Sequence, residues 1–172
     1  VETGLSDVDY ALAGGVEKSE VIILAARPSH GKSAVALQCV HAWTLNQRPC
    51  LIISEEMSAL ALGKRTLQFI SDTPEEHWRT SIQSIEADVS YYESNRVPTI
   101  IAESCGTTAA AIEQIEKAVE KHKVQCVVVD YAQILRGPAK TQYERVTATS
   151  IAMAAVARKH SLVLMMLCQL SR

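Results

Sequence analysis

The residues from Ala26 to Ser33 have the types and spacing of a phosphate-binding loop. They read A-R-P-S-H-G-K-S, which fits the pattern G-x-x-x-x-G-K-[S/T] except that alanine replaces the first glycine. Backbone N–H groups at the start of a helix bind phosphate oxygens, and the helix dipole favours negative charge there. Lys32 is predicted to reach the β- and γ-phosphates, and Ser33 to coordinate Mg²⁺. The other predicted phosphate-site residues are Arg27, Pro28, Ser29, His30 and Gly31.

Polar residues end three other apolar runs of the chain. Asp130 follows three valines, and a carboxylate in that position can hold the Mg²⁺ shell. Gln169 ends the last run, where an amide could donate to a γ-phosphate and accept from a water. Glu55 and Glu56 follow the second run, and either could orient or deprotonate a water. Chemistry alone does not choose between them, and an exposed acidic pair before a helix capped by Ser58 is an equal alternative.

The segment 135–145 is polar and contains Gly137 and Pro138. It is predicted to be a surface loop after the aspartate strand. Its basic residues could contact a nucleic-acid backbone, although an ordinary solvated loop explains them as well. Those candidate residues are Arg136, Lys140 and Arg145.

The sequence alternates short apolar runs with longer helical patterns, which predicts one α/β domain over residues 1–172. The predicted strands lie at 21–25, 50–54, 98–103, 125–131 and 161–169. The predicted helices lie at 32–46, 58–71, 107–123 and 143–160. Because the strands are apolar throughout, we expect about five parallel strands buried between two helical layers. Residues 72–97 are expected to form one or two short helices rather than a strand.

Composition excludes several classes of protein. The net charge of −2 argues against a broad basic surface that would bind nucleic acid unaided. The five cysteines are scattered, which favours free thiols in a reducing compartment over a disulfide framework or a zinc site. No apolar run is long enough to cross a membrane. Because the first residue is valine, we expect the chain to be a fragment or a processed product.

Five motifs, taken in order, resemble one known family, the C-terminal RecA-like ATPase domain of DnaB-type replicative helicases. These motifs are TGLSDVDYALAGGV (3–16), IILAARPSHGKSAVAL (22–37), ISEEMS (53–58), VVVDYAQIL (127–135) and LMMLCQLSR (164–172). Alanine at the first loop position is usual in that family, as is the R-P pair. The D-Y-x-Q and Q-L-S-R signatures are specific to it, so chance is a poor explanation of the set.

The resemblance implies a mechanism and partners. It implies a three-layer RecA-like fold with a mostly parallel sheet that binds ATP and Mg²⁺. Glu56, before the methionine, would be the catalytic glutamate, and Gln169 would sense the γ-phosphate. The loop at 135–145 would face single-stranded DNA in the pore of a homo-hexamer. The family unwinds duplex DNA 5′-to-3′ at the cytoplasmic replication fork, with primase and a helicase loader as possible partners and no membrane.

The chain departs from the family at three positions: His30 replaces methionine, Glu55 an aliphatic residue and Ser19 a glycine. The family's N-terminal collar domain and its arginine finger, which acts on a neighbouring subunit's ATP, have no counterpart in residues 1–172. We therefore expect this chain to bind nucleotide but to turn it over slowly. Three alternatives remain open: another RecA-like ATPase such as a recombinase, a P-loop kinase and a non-catalytic nucleotide-binding remnant.

Overall fold

A computed structural model describes residues 1–71, 74–78, 82–130, 133, 135–137 and 141–170. The helices are α1 (Ser6–Ala11), α2 (Lys32–Leu45), α3 (Ala59–Ser71), α4 (Ile82–Ser94), α5 (Thr108–His122) and α6 (Gln142–His160). A short 3₁₀ turn covers Glu75–His77. The strands are β1 (Val21–Ala26), β2 (Cys50–Ser54), β3 (Thr99–Glu103), β4 (Cys126–Asp130) and β5 (Val163–Gln169).

The five strands form one sheet in the order β1-β5-β4-β2-β3, and every pair is parallel. The predicted parallel α/β sheet is therefore confirmed. In register, Ala26 lies beside Gln169, and Ser54 lies beside Asp130. The last residues of four strands thus meet at one edge of the sheet, which is where ligands bind in such folds.

Side chains of the central strands alternate between two apolar layers. Val127 and Val129 of β4 face α5 and α6, where they pack with Ile115 and Met153. Val128 faces the opposite layer, whose largest buried side chain is Trp43 of α2. Because both faces of β2 and β4 are covered, these strands are apolar at almost every position.

Small differences from the predicted boundaries have local causes. β5 begins at Val163 rather than at 161, because Ser161 takes a left-handed conformation (φ 52°) that ends α6. In the described part of 72–97, the 3₁₀ turn and the thirteen-residue α4 agree with the prediction of helices. The helix α1 was not predicted. Within it, the Asp9 carboxylate accepts hydrogen bonds from the N–H groups of Thr3 and Gly4, which precede the helix. No helix of the described residues has the length and apolar character to cross a membrane.

Candidate nucleotide-binding site

The loop between β1 and α2 has the backbone geometry of an anion site. Residues 27–31 are exposed at the carboxyl edge of the sheet. Ser29 and Gly31 have positive φ values of 62° and 78°, and Gly31 immediately precedes α2. A Cβ on Gly31 would meet no atom within 4 Å in the described part of the chain, so it is the backbone conformation that requires glycine. No described side chain caps the first turn of α2, whose N–H groups therefore face the loop.

Three polar side chains meet beside this loop. The Ser33 hydroxyl donates a hydrogen bond of 2.8 Å to Oδ2 of Asp130. Nζ of Lys32 lies 4.0 Å from Oδ1 of the same carboxylate, and the Lys32 side chain is only 10% exposed. The structure therefore brings together the lysine, the hydroxyl and the aspartate that were predicted from separate motifs.

The donor set of this cluster fits a magnesium ion. Oδ1 of Asp130 is buried and has no hydrogen-bond partner among the described residues. A buried carboxylate oxygen beside a serine hydroxyl provides the oxygen ligands that Mg²⁺ prefers. Across the described part of the chain, no cluster of three His, Cys, Asp or Glu side chains forms another metal site.

The two glutamates after β2 have different surroundings. Both carboxylate oxygens of Glu55 accept the Gly106 N–H, at 3.2 and 3.1 Å. The Glu55 N–H donates to the Asp130 carbonyl at 2.7 Å. Glu56 is exposed at the same edge of the sheet. The carboxylate of Glu55 is therefore engaged by the loop before α5, whereas that of Glu56 faces solvent.

The end of β5 is held on both sides. Leu170 N–H donates to the Ala26 carbonyl at 3.0 Å, which joins β5 to the start of the phosphate loop. On the other side, the Gln133 amide makes two bonds to the main chain of Gln169. Nε2 donates to the carbonyl at 2.8 Å, and Oε1 accepts the N–H at 3.0 Å. Gln133 thus extends the β4–β5 pairing beyond the last residue of β4.

The predicted DNA-contacting residues are only partly described. Arg136 is exposed, and its backbone pairs with the loop before α5. Arg145 lies in the first turn of α6, which begins at Gln142 after the capping residue Thr141. Lys140 lies outside the described residues.

Sequence reasoning assigned no role to Gln133 or Gly106. The glutamine belongs to the D-Y-x-Q signature, so its position in that motif was an available signal. Gly106 lies in none of the five motifs, and its contact with Glu55 places it beside the candidate site.

The five-stranded parallel sheet, with this loop between β1 and α2, has the predicted RecA-like fold. The DnaB-like helicase C terminal domain family matches residues 1–172, and the chain belongs to that family. The resemblance drawn from the five motifs is thereby confirmed.

This chain is 30% identical to the replicative DNA helicase DnaB of Pasteurella multocida and 29% identical to that of Haemophilus influenzae, each over 183 aligned residues. Each alignment covers 100% of this chain and 39% of the relative, so the chain spans about two fifths of their length. One solved structure, described as an ATPase domain, superposes with a TM-score of 0.88 at 21% identity, over 100% of this chain and 64% of that one. A second solved structure is of a DnaB-like replicative helicase and concerns its interactions with primase. It superposes with a TM-score of 0.88 at 21% identity, over 100% of this chain and 44% of that one. At this identity the two solved structures support the fold.

Proposed function

We propose that the chain is the ATP-hydrolysing motor domain of a replicative DNA helicase. Membership of the DnaB-like family supports the class of activity. The observation that carries the proposal is the cluster of Ser33, Lys32 and Asp130, in which one buried carboxylate oxygen accepts no hydrogen bond from the described residues. In the intact protein, six copies would form a ring that moves along single-stranded DNA and unwinds duplex DNA 5′-to-3′.

The phosphate loop binds the triphosphate of ATP in this proposal. The N–H groups of residues 29–33 surround the phosphates, and Lys32 neutralises charge on the β- and γ-phosphates. Ser33 and Asp130 would hold Mg²⁺, which would supply positive charge beside the phosphates during hydrolysis.

The attacking water is activated by Glu56. Its carboxylate is exposed at the carboxyl edge of the sheet, whereas that of Glu55 is bound to the Gly106 N–H. Gln169 acts as the γ-phosphate sensor, because it ends β5 beside Ala26, the first residue of the phosphate loop. The Gln133 amide then links the sensor to the segment after β4.

Single-stranded DNA lies against the basic residues that follow β4. Arg136 is exposed, and Arg145 lies on the helix that follows the segment. Lys140, outside the described residues, would complete the set.

Primase and a helicase loader are the further partners that we propose for the intact protein, in the cytoplasm. We assign no residue of this chain as the arginine finger.

The test is ATP hydrolysis with and without single-stranded DNA, for this chain and for a form extended to the length of its curated relatives. We expect the chain alone to bind nucleotide with slow turnover. The extended form should hydrolyse ATP faster, and DNA should stimulate it. Lys32→Ala should weaken nucleotide binding by about 10-fold or more, since it removes a charge-assisted bond to phosphate.

Matched controls lie on the surface of α5. Lys117 and Glu113 form an exposed ion pair there, so Lys117→Ala and Glu113→Gln remove the same charges away from the site. Glu56→Gln should abolish hydrolysis while retaining binding, and Glu113→Gln should leave both hydrolysis and binding unchanged. Nucleotide binding without turnover in both forms would contradict the motor and indicate a non-catalytic module. Turnover on the order of 1 s⁻¹ by the isolated chain would contradict its predicted slow hydrolysis.

A further inference from the structure

Glu55 bridges two parts of the sheet edge that are far apart in sequence. Its N–H donates to the carbonyl of Asp130, the residue that also bonds Ser33. Its carboxylate accepts the N–H of Gly106 with both oxygens. One residue thus joins the proposed metal site to the loop between β3 and α5.

Gly106 in turn holds the segment that follows β4. Its carbonyl accepts the Arg136 N–H at 2.9 Å, and the Arg136 carbonyl accepts the Thr108 N–H at 3.1 Å. Thr107 and Arg136 form a short parallel bridge around these bonds. Thr107 also caps α5 by accepting the Ala110 N–H, so this side of the bridge is fixed to a helix.

These contacts form an unbroken path from Asp130 through Glu55 and Gly106 to Arg136. The Glu55–Gly106 bond is its one side-chain link, and a bond from an N–H to a carboxylate is stronger than a neutral one. Gly106 has a φ of 70°, and a Cβ there would meet no atom of the described residues beyond its chain neighbours within 4 Å, so packing against Gly106 does not fix the direction of its N–H.

We propose that Glu55 is a positioning residue that holds the Gly106–Arg136 pair in place relative to Asp130, and so transmits nucleotide binding to residues 135–137. The proposal rests on the proposed nucleotide-binding function. It assigns Glu55 no contact with ATP or water. It makes the position of Arg136, a proposed DNA contact, depend on a carboxylate beside the metal site.

The first measurement is amide hydrogen exchange, resolved by NMR, in the wild-type chain, Glu55→Ala and Glu55→Gln. Glu55→Ala should accelerate exchange of the Gly106 amide by about tenfold or more, because a bond to a charged acceptor is lost. Glu55→Gln keeps an acceptor oxygen and should accelerate it by less. Glu116→Ala is the control, since it removes a carboxylate that binds Lys159 on the surface of α5 and α6.

Cys105 provides a second readout, which separates charge from hydrogen bonding. Burial, and then the negative charge of Glu55, raise the pKa of the Cys105 thiol. Glu55→Gln and Glu55→Ala both remove that charge, so both should lower the apparent pKa of Cys105 alkylation by iodoacetamide. The half-buried Cys168, whose pKa is raised by burial, serves as the internal reference in the same peptide digest. If Glu55 only filled space, Glu55→Gln and Glu55→Ala would not show the same lowered alkylation pKa of Cys105 together with different exchange rates of the Gly106 amide.

The coupling is tested by repeating the exchange measurement with Mg²⁺ and ATPγS. Nucleotide should slow exchange of the Arg136 amide in the wild-type chain. This slowing should disappear in Glu55→Ala, while nucleotide affinity changes by less than about twofold. Unchanged Gly106 exchange in Glu55→Ala, or persistent slowing at Arg136 while nucleotide still binds, would overturn the coupling alone. A wild-type chain that binds no nucleotide would overturn the proposed function, and the coupling with it.

Discussion

At the scale of single residues, the two glycines Gly31 and Gly63 allow a clean comparison. Gly31 has a φ of 78°, and an added Cβ would meet no atom of the described residues within 4 Å. Gly31→Ala therefore carries a conformational cost without a steric clash. We expect it to lower the free energy of unfolding by about 1–2 kcal/mol and to weaken nucleotide binding, as measured by urea unfolding and by titration with a fluorescent ATP analogue.

Gly63 is the matched control, because it lies inside α3 and a Cβ there also meets open space. Gly63→Ala should raise the free energy of unfolding by about 0.5–1 kcal/mol, since alanine favours the helix. It should leave nucleotide affinity unchanged. Equal effects of the two substitutions would show that the loop does not depend on the left-handed conformation at Gly31.

The roles of neighbouring glutamates illustrate what sequence can decide about a residue. From side-chain chemistry alone, Glu55 and Glu56 were equivalent candidates for activating water, and only the family resemblance favoured Glu56. The structure separates them by their partners, because the Gly106 N–H that binds Glu55 lies 51 residues away in the chain. No local pattern encodes such a contact, whereas the loop between β1 and α2 could be predicted as a candidate phosphate site because its residues are contiguous in the sequence.

At the scale of elements, the interface of α2 with α3 and α4 contains a titrating group. The His41 ring contacts the rings of Phe69 and Tyr92. Nη2 of Arg96 lies 2.6 Å from Nε2 of His41, so that nitrogen accepts and Nδ1 carries the proton. Nδ1 is buried without a hydrogen-bond partner among the described residues. The imidazole is therefore packed in its neutral form.

Burial, together with the charge of Arg96, lowers the pKa of His41 from its ordinary 6.5 to about 4. Below pH 6.5 the unfolded chain binds this proton more readily than the folded chain does, so stability should fall as pH drops from 6.5 to 4. His41→Gln keeps an acceptor for Arg96 but does not titrate. It should reduce the loss of unfolding free energy between pH 7 and pH 5, measured by urea unfolding at both values.

The exposed His122 at the end of α5 is the control for His41. His122→Gln should leave the pH dependence of stability close to that of the wild-type chain. An identical pH dependence in His41→Gln and wild type would contradict the assignment of a neutral buried imidazole.

Strands and helices were the most predictable level of the structure. Strands β2 and β4 are covered on both faces, and this burial appears in the sequence as unbroken apolar runs. Helices α5 and α6 begin at threonine caps, which sequence can indicate. The order of the strands was not predicted, because it depends on crossovers that bring distant runs together. The hydrogen bonds from the Gln133 amide to the main chain of Gln169 were not predicted for the same reason, since the two residues are 36 positions apart.

At the scale of the whole molecule, the strands that end at the candidate site are packed between the two apolar layers. β1 bears the phosphate loop, β4 ends in Asp130 and β5 ends in Gln169, and these three strands are neighbours in the sheet. A ligand that contacts the ends of all three strands is bound by the folded chain and not by the unfolded one. Nucleotide binding must therefore stabilise the whole domain rather than one loop.

The size of this stabilisation follows from mass action. At a free Mg·ATPγS concentration of about 100 times Kd, the free energy of unfolding should rise by about 2.7 kcal/mol. For a domain of 172 residues this corresponds to a rise in Tm of about 5–10 °C, measurable by thermal unfolding. Lys32→Ala should lower the rise to about half or less at the same ligand concentration, because a tenfold weaker Kd leaves about 1.4 kcal/mol of stabilisation. Lys117→Ala, on the surface of α5, should retain the full rise. Asp130→Asn should abolish the part that requires Mg²⁺, because it removes the buried carboxylate beside Ser33. A rise in Tm that is the same with and without Mg²⁺ would show that Asp130 and Ser33 hold no metal in the complex.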